Sequence, residues 1–244
     1  MSAQSPGVVW YFRYRVFLIT AAYAIGFFAG DLLMPRSGAS FERLGALTPA
    51  WFGARGMLGV VVLLTLAGAL WRIWGASYLS SAVVHAWDVQ TGALYVAGPY
   101  RFTRNPLYLG NLFWALGIGL YGTPLATLLV FVLNLWVVEL LIGAEEKAML
   151  ERFGSRFVEY RNEVPRLVPL WFRAAPPEPG IRPDWGQGVR SELFGLAFVG
   201  VTFASYLAQR PTAMLFGVCA LLLIVAGFAR GRPKRPSEAR PSRT

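Results

Sequence analysis

Cysteine and histidine occur once each in this 244-residue chain, as Cys219 and His85, and charge is scarce at 15% of residues. A single cysteine excludes an intramolecular disulfide. One cysteine and one histidine together exclude a His/Cys metal cluster drawn from this chain. Soluble domains carry about a quarter charged residues. The low fraction here, with 55% apolar residues and a mean hydropathy of +0.47, indicates a polytopic membrane protein. Acidic residues are the rarer sign, 13 against 23 basic, leaving a net charge of +10. That surplus flanks apolar runs and forms no stripe interleaved with base-stacking aromatics, which argues against nucleic-acid binding.

What the chain has in plenty is long apolar runs. A transmembrane helix needs about 20 mainly apolar residues, and runs at 16–34 and 57–74 qualify. The stretch 107–142 is too long for one span and is broken by "YGTP" at 121–124 into a tight hairpin; further runs lie at 193–208 and 213–229. The expectation is an all-α protein of about six spans, the third and fifth short. No clear small-x-small cleavage site follows the first run, so it reads as a span and not as a signal peptide. The divisions are 1–71, an N-terminal two-span region; 72–170, a core around the hairpin; 171–230, a linker and C-terminal two-span hairpin; and 231–244, a basic disordered tail. With alternating connections, Arg36, Arg43, Arg55 and Arg210 fall on one side and the other 19 basic residues on the opposite side. That asymmetry places both termini in the cytoplasm.

On this topology "GPYRFTRNPLYLG" (98–110) stands at the cytoplasmic entrance of the third span, and "ELLIGAEEKAMLERFG" (139–154) at the cytoplasmic end of the fourth. Arg101 and Arg104 thus meet Glu145 and Glu146 at the rim of one hairpin. Ionisable groups at membrane depth are functional candidates by default. Glu139 precedes Glu146 by seven residues and shares its helix face, extending the polar stripe inward. Each feature also has a plain structural reading: arginines snorkel to phosphate, and Pro106 suits a first helical position. Their convergence on one hairpin favours a site. Apolar residues at 149, 150, 153, 157 and 160 recur at helical spacing, which predicts an interfacial amphipathic helix ended by Pro165. "GFFAG" at 26–30 has the Gly-x-x-x-Gly spacing of close helix packing, read as intramolecular.

The two motifs, with "GIG" at 117–119 between them and "VPRLVP" at 164–169 after them, resemble the isoprenylcysteine carboxyl methyltransferase and phospholipid methyltransferase group over roughly residues 72–170. The resemblance implies an integral membrane enzyme that transfers a methyl group from S-adenosyl-L-methionine to a lipophilic acceptor reached from the bilayer. By position, Tyr100, Asn105, Pro106, Leu107 and Tyr108 would border the cofactor, with Gly117 and Gly119 as a Gly-x-Gly and Glu145 and Glu146 as the acidic pair. His85 and Leu94 fall where eukaryotic members contact the cofactor. Arg104, Glu145 and Tyr108 are the residues expected to position and polarise the reacting groups. Arg104, Glu139 and Arg166 are the candidates for contact with the acceptor.

Two departures stand out. The family's Arg-His-Pro is Arg104-Asn105-Pro106 here, and Leu141 stands where the eukaryotic enzymes carry a basic residue associated with substrate. Asparagine keeps a donor and an acceptor but takes no proton near neutral pH. His85 is open to three readings: a base, a cofactor contact or a structural residue. Two other functions remain beside the methyltransferase: a membrane reductase using a nicotinamide cofactor, and a non-catalytic lipid-binding scaffold. The acceptor's identity and the oligomeric state are open at this stage.

Overall fold

The computed structural model describes residues 6–35, 38–79, 96–170, 174–176 and 180–209. Among these the chain is helical, with no strand. The helices are α1 (Pro6–Leu33), α2 (Ser40–Ala46), α3 (Gly53–Ala76), α4 (Pro106–Gly119), α5 (Pro124–Phe153), α6 (Ser155–Glu163), α7 (Trp185–Ser191) and α8 (Leu193–Ala208), with a 3-10 turn at Gly98–Arg101 before α4.

Six spans are not confirmed among the described residues. Three helices, α1, α3 and α5, are long and apolar enough to cross a membrane, or four if α7 and α8, bent by 64° at their junction, form one span. The expected third span is α4, whose 14 residues rise about 21 Å, short of the roughly 30 Å of hydrocarbon. The run at 213–229 and the tail at 231–244 lie outside the described residues.

The hairpin is built by local chemistry at its two starts. Pro106 and Pro124 each open a helix where a missing N–H costs nothing, and Thr123 caps α5 by accepting from the Ala126 N–H at 3.2 Å. Helix α2 closes the turn, because the backbone N–H groups of Ser40 and Phe41 donate to the carbonyls of Gly122 (2.7 Å) and Leu120 (3.1 Å).

Close helix contact depends on residues without side chains. A Cβ on Gly26 would lie 2.7 Å from Val130, and one on Gly30 would lie 2.2 Å from Ala126. The Gly-x-x-x-Gly pair therefore seats α1 on α5 within the chain, as its spacing predicted. On the other side of the hairpin, α3 packs on α4 and α8. Thr65 of α3 meets Thr202 of α8 through their hydroxyls at 3.0 Å, a contact worth roughly 0.6 kcal/mol between membrane helices. The stronger tie is ionic. Glu192, at the α7–α8 bend and only 2% exposed, accepts a fork from Arg72 of α3 at 2.7 and 2.8 Å. Arg72 also donates to the Asn111 side chain at 2.7 Å and stacks over Trp114.

The expected amphipathic helix begins later than its apolar spacing indicated. Helix α5 runs on through 149, 150 and 153, and the break comes at Gly154, whose φ of 54° favours a residue without Cβ. Helix α6 then covers only 155–163. Its Phe157 and Tyr160 are buried against Val164 and Ala175, with Val96, Met149 and Phe153 around them. The apolar face of α6 is thus spent on the protein, so the helix is a cap over the end of the hairpin.

Candidate active site

The polar residues of the two motifs meet where the start of α4 approaches the last third of α5. Tyr108 lies in the first turn of α4 and Glu145 nearly six turns into α5. The phenol of Tyr108 donates to Glu145 Oε1 at 2.7 Å, which is the carboxylate's one hydrogen bond among the described residues. Apolar packing fixes this pair. Tyr108 shares a cluster with Leu112, Val137, Val138, Leu141, Ile142 and Ala22 of α1. Leu141 is fully buried there, so the position that is basic in the eukaryotic enzymes serves as core. Positive charge arrives instead from α1. Arg15 is three, four and seven residues from Leu18, Ile19 and Ala22, which face this cluster, so it shares their helix face.

Arg104 is 9% exposed and almost fully engaged. Its Nε and Nη2 donate to Glu146 Oε1 at 3.0 and 2.8 Å. Its Nη1 donates to the Arg161 carbonyl at 2.8 Å and to the Val164 carbonyl. Four of its five N–H groups are thereby committed, two of them to the C-terminal carbonyls of α6, where a cation also meets the helix dipole favourably. Tyr160 of α6 completes the clasp by donating to the Tyr100 carbonyl at 2.7 Å. Burial pushes the Tyr160 phenol well above its ordinary range against the pull of Arg104, and burial likewise raises Tyr100, with Tyr160 and Glu145 adding to the effect.

The segment after α6 returns across the opening of α4. Asn105 Nδ2 donates to the Arg166 carbonyl at 2.9 Å, Thr103 Oγ1 donates to the Leu167 carbonyl at 2.9 Å, and the Arg104 N–H donates to the Pro165 carbonyl at 2.9 Å. The Arg166 side chain reaches back to α5, where Nη1 donates to Glu139 Oε2 at 2.6 Å and Nε lies 3.5 Å from Glu146 Oε2. Tyr100, Arg104, Asn105, Tyr108, Glu139, Glu145, Glu146 and Arg166 therefore gather at one end of the hairpin. Pro106 and Leu107 stand beside them but turn their side chains to Gly75 of α3, and the Leu107 carbonyl accepts from Arg72 at 3.4 Å.

Gly117 and Gly119 are not brought to this cluster. They lie near the hairpin turn, where Cβ atoms would meet Leu64 and Thr65 of α3 at 3.2 Å and Thr127 of α5 at 3.3 Å. Their smallness serves helix contact. His85 and Leu94 lie outside the described residues. Among the described residues no three His, Cys, Asp or Glu side chains stand close enough to hold a metal ion. Sequence reasoning missed Arg15, which registered only as a flanking charge, and Tyr160, which registered only as one apolar position of a repeat.

Residues 55–156, from α3 to the start of α6, match the model of the phospholipid methyltransferase family. That matched segment, about two fifths of the chain, is similar to the family. Protein-S-isoprenylcysteine O-methyltransferase of Saccharomyces cerevisiae is 32% identical over 39% of this chain and 40% of that protein. The Schizosaccharomyces pombe protein of the same name is 35% identical over 32% of the chain and 33% of its own length. The cobalt-zinc-cadmium resistance protein CzcN of Cupriavidus metallidurans is 30% identical over 47% of each chain. The chain spans less than half the length of these curated relatives. No solved structure matches significantly. The matched segment carries Arg72, Arg104, Tyr108 and Glu139, Glu145 and Glu146 of α5. Arg15, Tyr160, Arg166 and Glu192, which hold or face it, come from outside the matched segment.

Proposed function

We propose that the chain is an integral membrane methyltransferase that uses S-adenosyl-L-methionine and methylates a lipophilic acceptor entering from the bilayer. The observation that carries this reading is the Tyr108–Glu145 bond across the α4–α5 hairpin, within the family-matched segment and at its most polar point. The cofactor supplies an electrophilic methyl group on a sulfonium. Displacement at such a centre asks the protein mainly for alignment and a dry, preorganised field.

The residues present fit that demand. Glu145 Oε2 carries no hydrogen bond to the described residues and suits an ammonium or a ribose hydroxyl. Tyr100 offers a phenol donor and a ring face for a cation. Asn105 and Glu146 complete the proposed cofactor wall, with the backbone of Pro106 and Leu107 at its edge and His85 and Leu94 as further contacts. Arg104 is a positioning residue: its guanidinium holds Glu146 and the end of α6. The positive-inside asymmetry of the sequence supports a cytoplasmic position for both termini and this site.

The test is equilibrium binding of S-adenosyl-L-methionine to purified protein in lipid nanodiscs, beside Glu145→Gln and Tyr108→Phe. Saturable binding should weaken about tenfold or more in Glu145→Gln and several-fold in Tyr108→Phe, the loss of one charge-assisted hydrogen bond. Folded wild-type protein that shows no saturable binding overturns the reading.

A further inference from the structure

Arg166 is the arginine of this site whose guanidinium is left open. Arg104 commits four N–H groups, and Arg72 closes its fork on Glu192 while donating to Asn111 and Leu107. Arg166 makes one side-chain hydrogen bond among the described residues, from Nη1 to Glu139 at 2.6 Å. Its Nε is buried without an acceptor, and Glu146 Oε2 at 3.5 Å is in ionic but not hydrogen-bonding range. A buried donor left unmatched is costly unless something else supplies the oxygen.

The surroundings hold that donor in place. The Arg166 backbone is gripped through its own carbonyl by Asn105, and the side chain is latched at its far nitrogen by Glu139. Gly143 lies between Glu139 and Glu146 on the same face of α5, and a Cβ there would stand 3.6 Å from Arg166 Nη2. A larger side chain would cover the guanidinium, whereas glycine leaves the approach clear. The charge is also under-compensated. Glu146 is shared with Arg104, so Glu139 is the one carboxylate in hydrogen-bonding contact with Arg166, and the two are 40% and 38% exposed.

We propose that the Nε–Nη2 edge of Arg166, approached from its Nη2 side over Gly143, is an oxyanion subsite, receiving a carboxylate or phosphate oxygen of a ligand that lies against the Glu139–Gly143–Glu146 face of α5. The planar fork of arginine is suited to such groups. Two sources carry this chemistry: the carboxylate of the methyl donor, and the anionic head of an amphiphile entering from the bilayer. Only the first source rests on the methyltransferase reading.

The experiment uses the full chain in phosphatidylcholine nanodiscs, as wild type, Arg166→Gln, Arg166→Lys and Glu139→Gln. One arm compares S-adenosyl-L-methionine with its decarboxylated analogue, and the other compares oleate with oleyl alcohol. In the arm that reports the true source, the wild type should favour the charged ligand by about tenfold or more. Arg166→Gln should abolish that preference, and Arg166→Lys, which keeps the charge without the fork, should lose part of it. Glu139→Gln should preserve or raise it, because a competing carboxylate is gone. Opposite signs for Arg166→Gln and Glu139→Gln distinguish a ligand subsite from a structural ion pair, which would suffer alike from either change. If Arg166→Gln does not fold, Arg166→Lys and Glu139→Gln carry the comparison. No preference in either arm, or equal losses in Arg166 and Glu139 variants, overturns the subsite. Failure of S-adenosyl-L-methionine to bind at all, with the oleate preference intact and dependent on Arg166, overturns the methyltransferase reading and leaves the subsite standing.

Discussion

Asn105 and Arg166 are joined by a 2.9 Å hydrogen bond from the amide of one to the carbonyl of the other, so the residue that opens α4 also fixes the strand of chain returning from α6. The family resemblance puts histidine at this position. Both side chains can donate one N–H to a carbonyl, and donation is what the structure asks for. Asn105→His should therefore keep stability and S-adenosyl-L-methionine affinity near wild type. Asn105→Leu removes the donor from a largely buried site and should cost about 1 kcal/mol, with a several-fold loss of cofactor affinity. Thermal unfolding and cofactor binding in nanodiscs measure both; a histidine variant as damaged as the leucine variant would refute the donor role.

Arg104 holds Glu146 and the last carbonyls of α6 at once. Arg104→Lys keeps the charge but cannot span both, so α6 should be freed while the membrane helices stay folded. Limited proteolysis should then cut within 155–163 faster than in the wild type. Arg104→Ala leaves Glu146 without its closest partner and should cost about 3 kcal/mol. Equal protease resistance in all three proteins would count against the clasp.

The bent helix pair at the C-terminal side is joined to α3 by a buried ion pair, Arg72–Glu192. Removing one partner strands a charge, so Arg72→Met should destabilise the protein by about 3 kcal/mol. Replacing both, as Arg72→Met with Glu192→Leu, should restore much of that loss, because desolvating the pair is itself expensive. Stability in a graded detergent–denaturant series reads both. A double variant worse than Arg72→Met alone would show that the pair contributes more than its charges.

Tyr100 and Tyr160 set an alkaline limit. Their phenols ionise above the ordinary value when folded, chiefly through burial. Below about pH 10 both folded and unfolded states keep these protons, and the stability is fully present. Above it the unfolded state releases them first and binds fewer protons, so stability falls as pH rises. Tyr160→Phe should flatten this alkaline fall, while near neutral pH it should cost about 1 kcal/mol for the lost bond to the Tyr100 carbonyl. Denaturation midpoints from neutral to strongly alkaline pH test the slope; an unchanged slope would exclude Tyr160 as a contributor.

Much of the architecture was legible in the sequence. Apolar runs located the long helices, "YGTP" located the hairpin turn, and the Gly26/Gly30 spacing marked the α1–α5 contact. These signals are local: hydropathy, a proline at a helix start and the absence of a side chain act over a few residues. The same locality explains the misreadings. Hydropathy does not measure helix length, so α4 passed for a span although only 14 residues are helical. Helical spacing continued through Gly154, so one amphipathic helix was read where a left-handed glycine separates two. Gly117 and Gly119 matched a motif by position, yet their vacancies are filled by α3 and α5.

The sequence by itself determined the membrane class, the hairpin and the meeting of the two charged motifs at one end of it, because burial of apolar runs and antiparallel return leave little choice. Tertiary structure alone decided which charge serves which partner. Arg104 and Arg166 are alike as letters, yet α6 folds back to consume the first while Asn105 and Glu139 hold the second open. That distinction arises from distances between segments remote in the chain, and no local pattern encodes it.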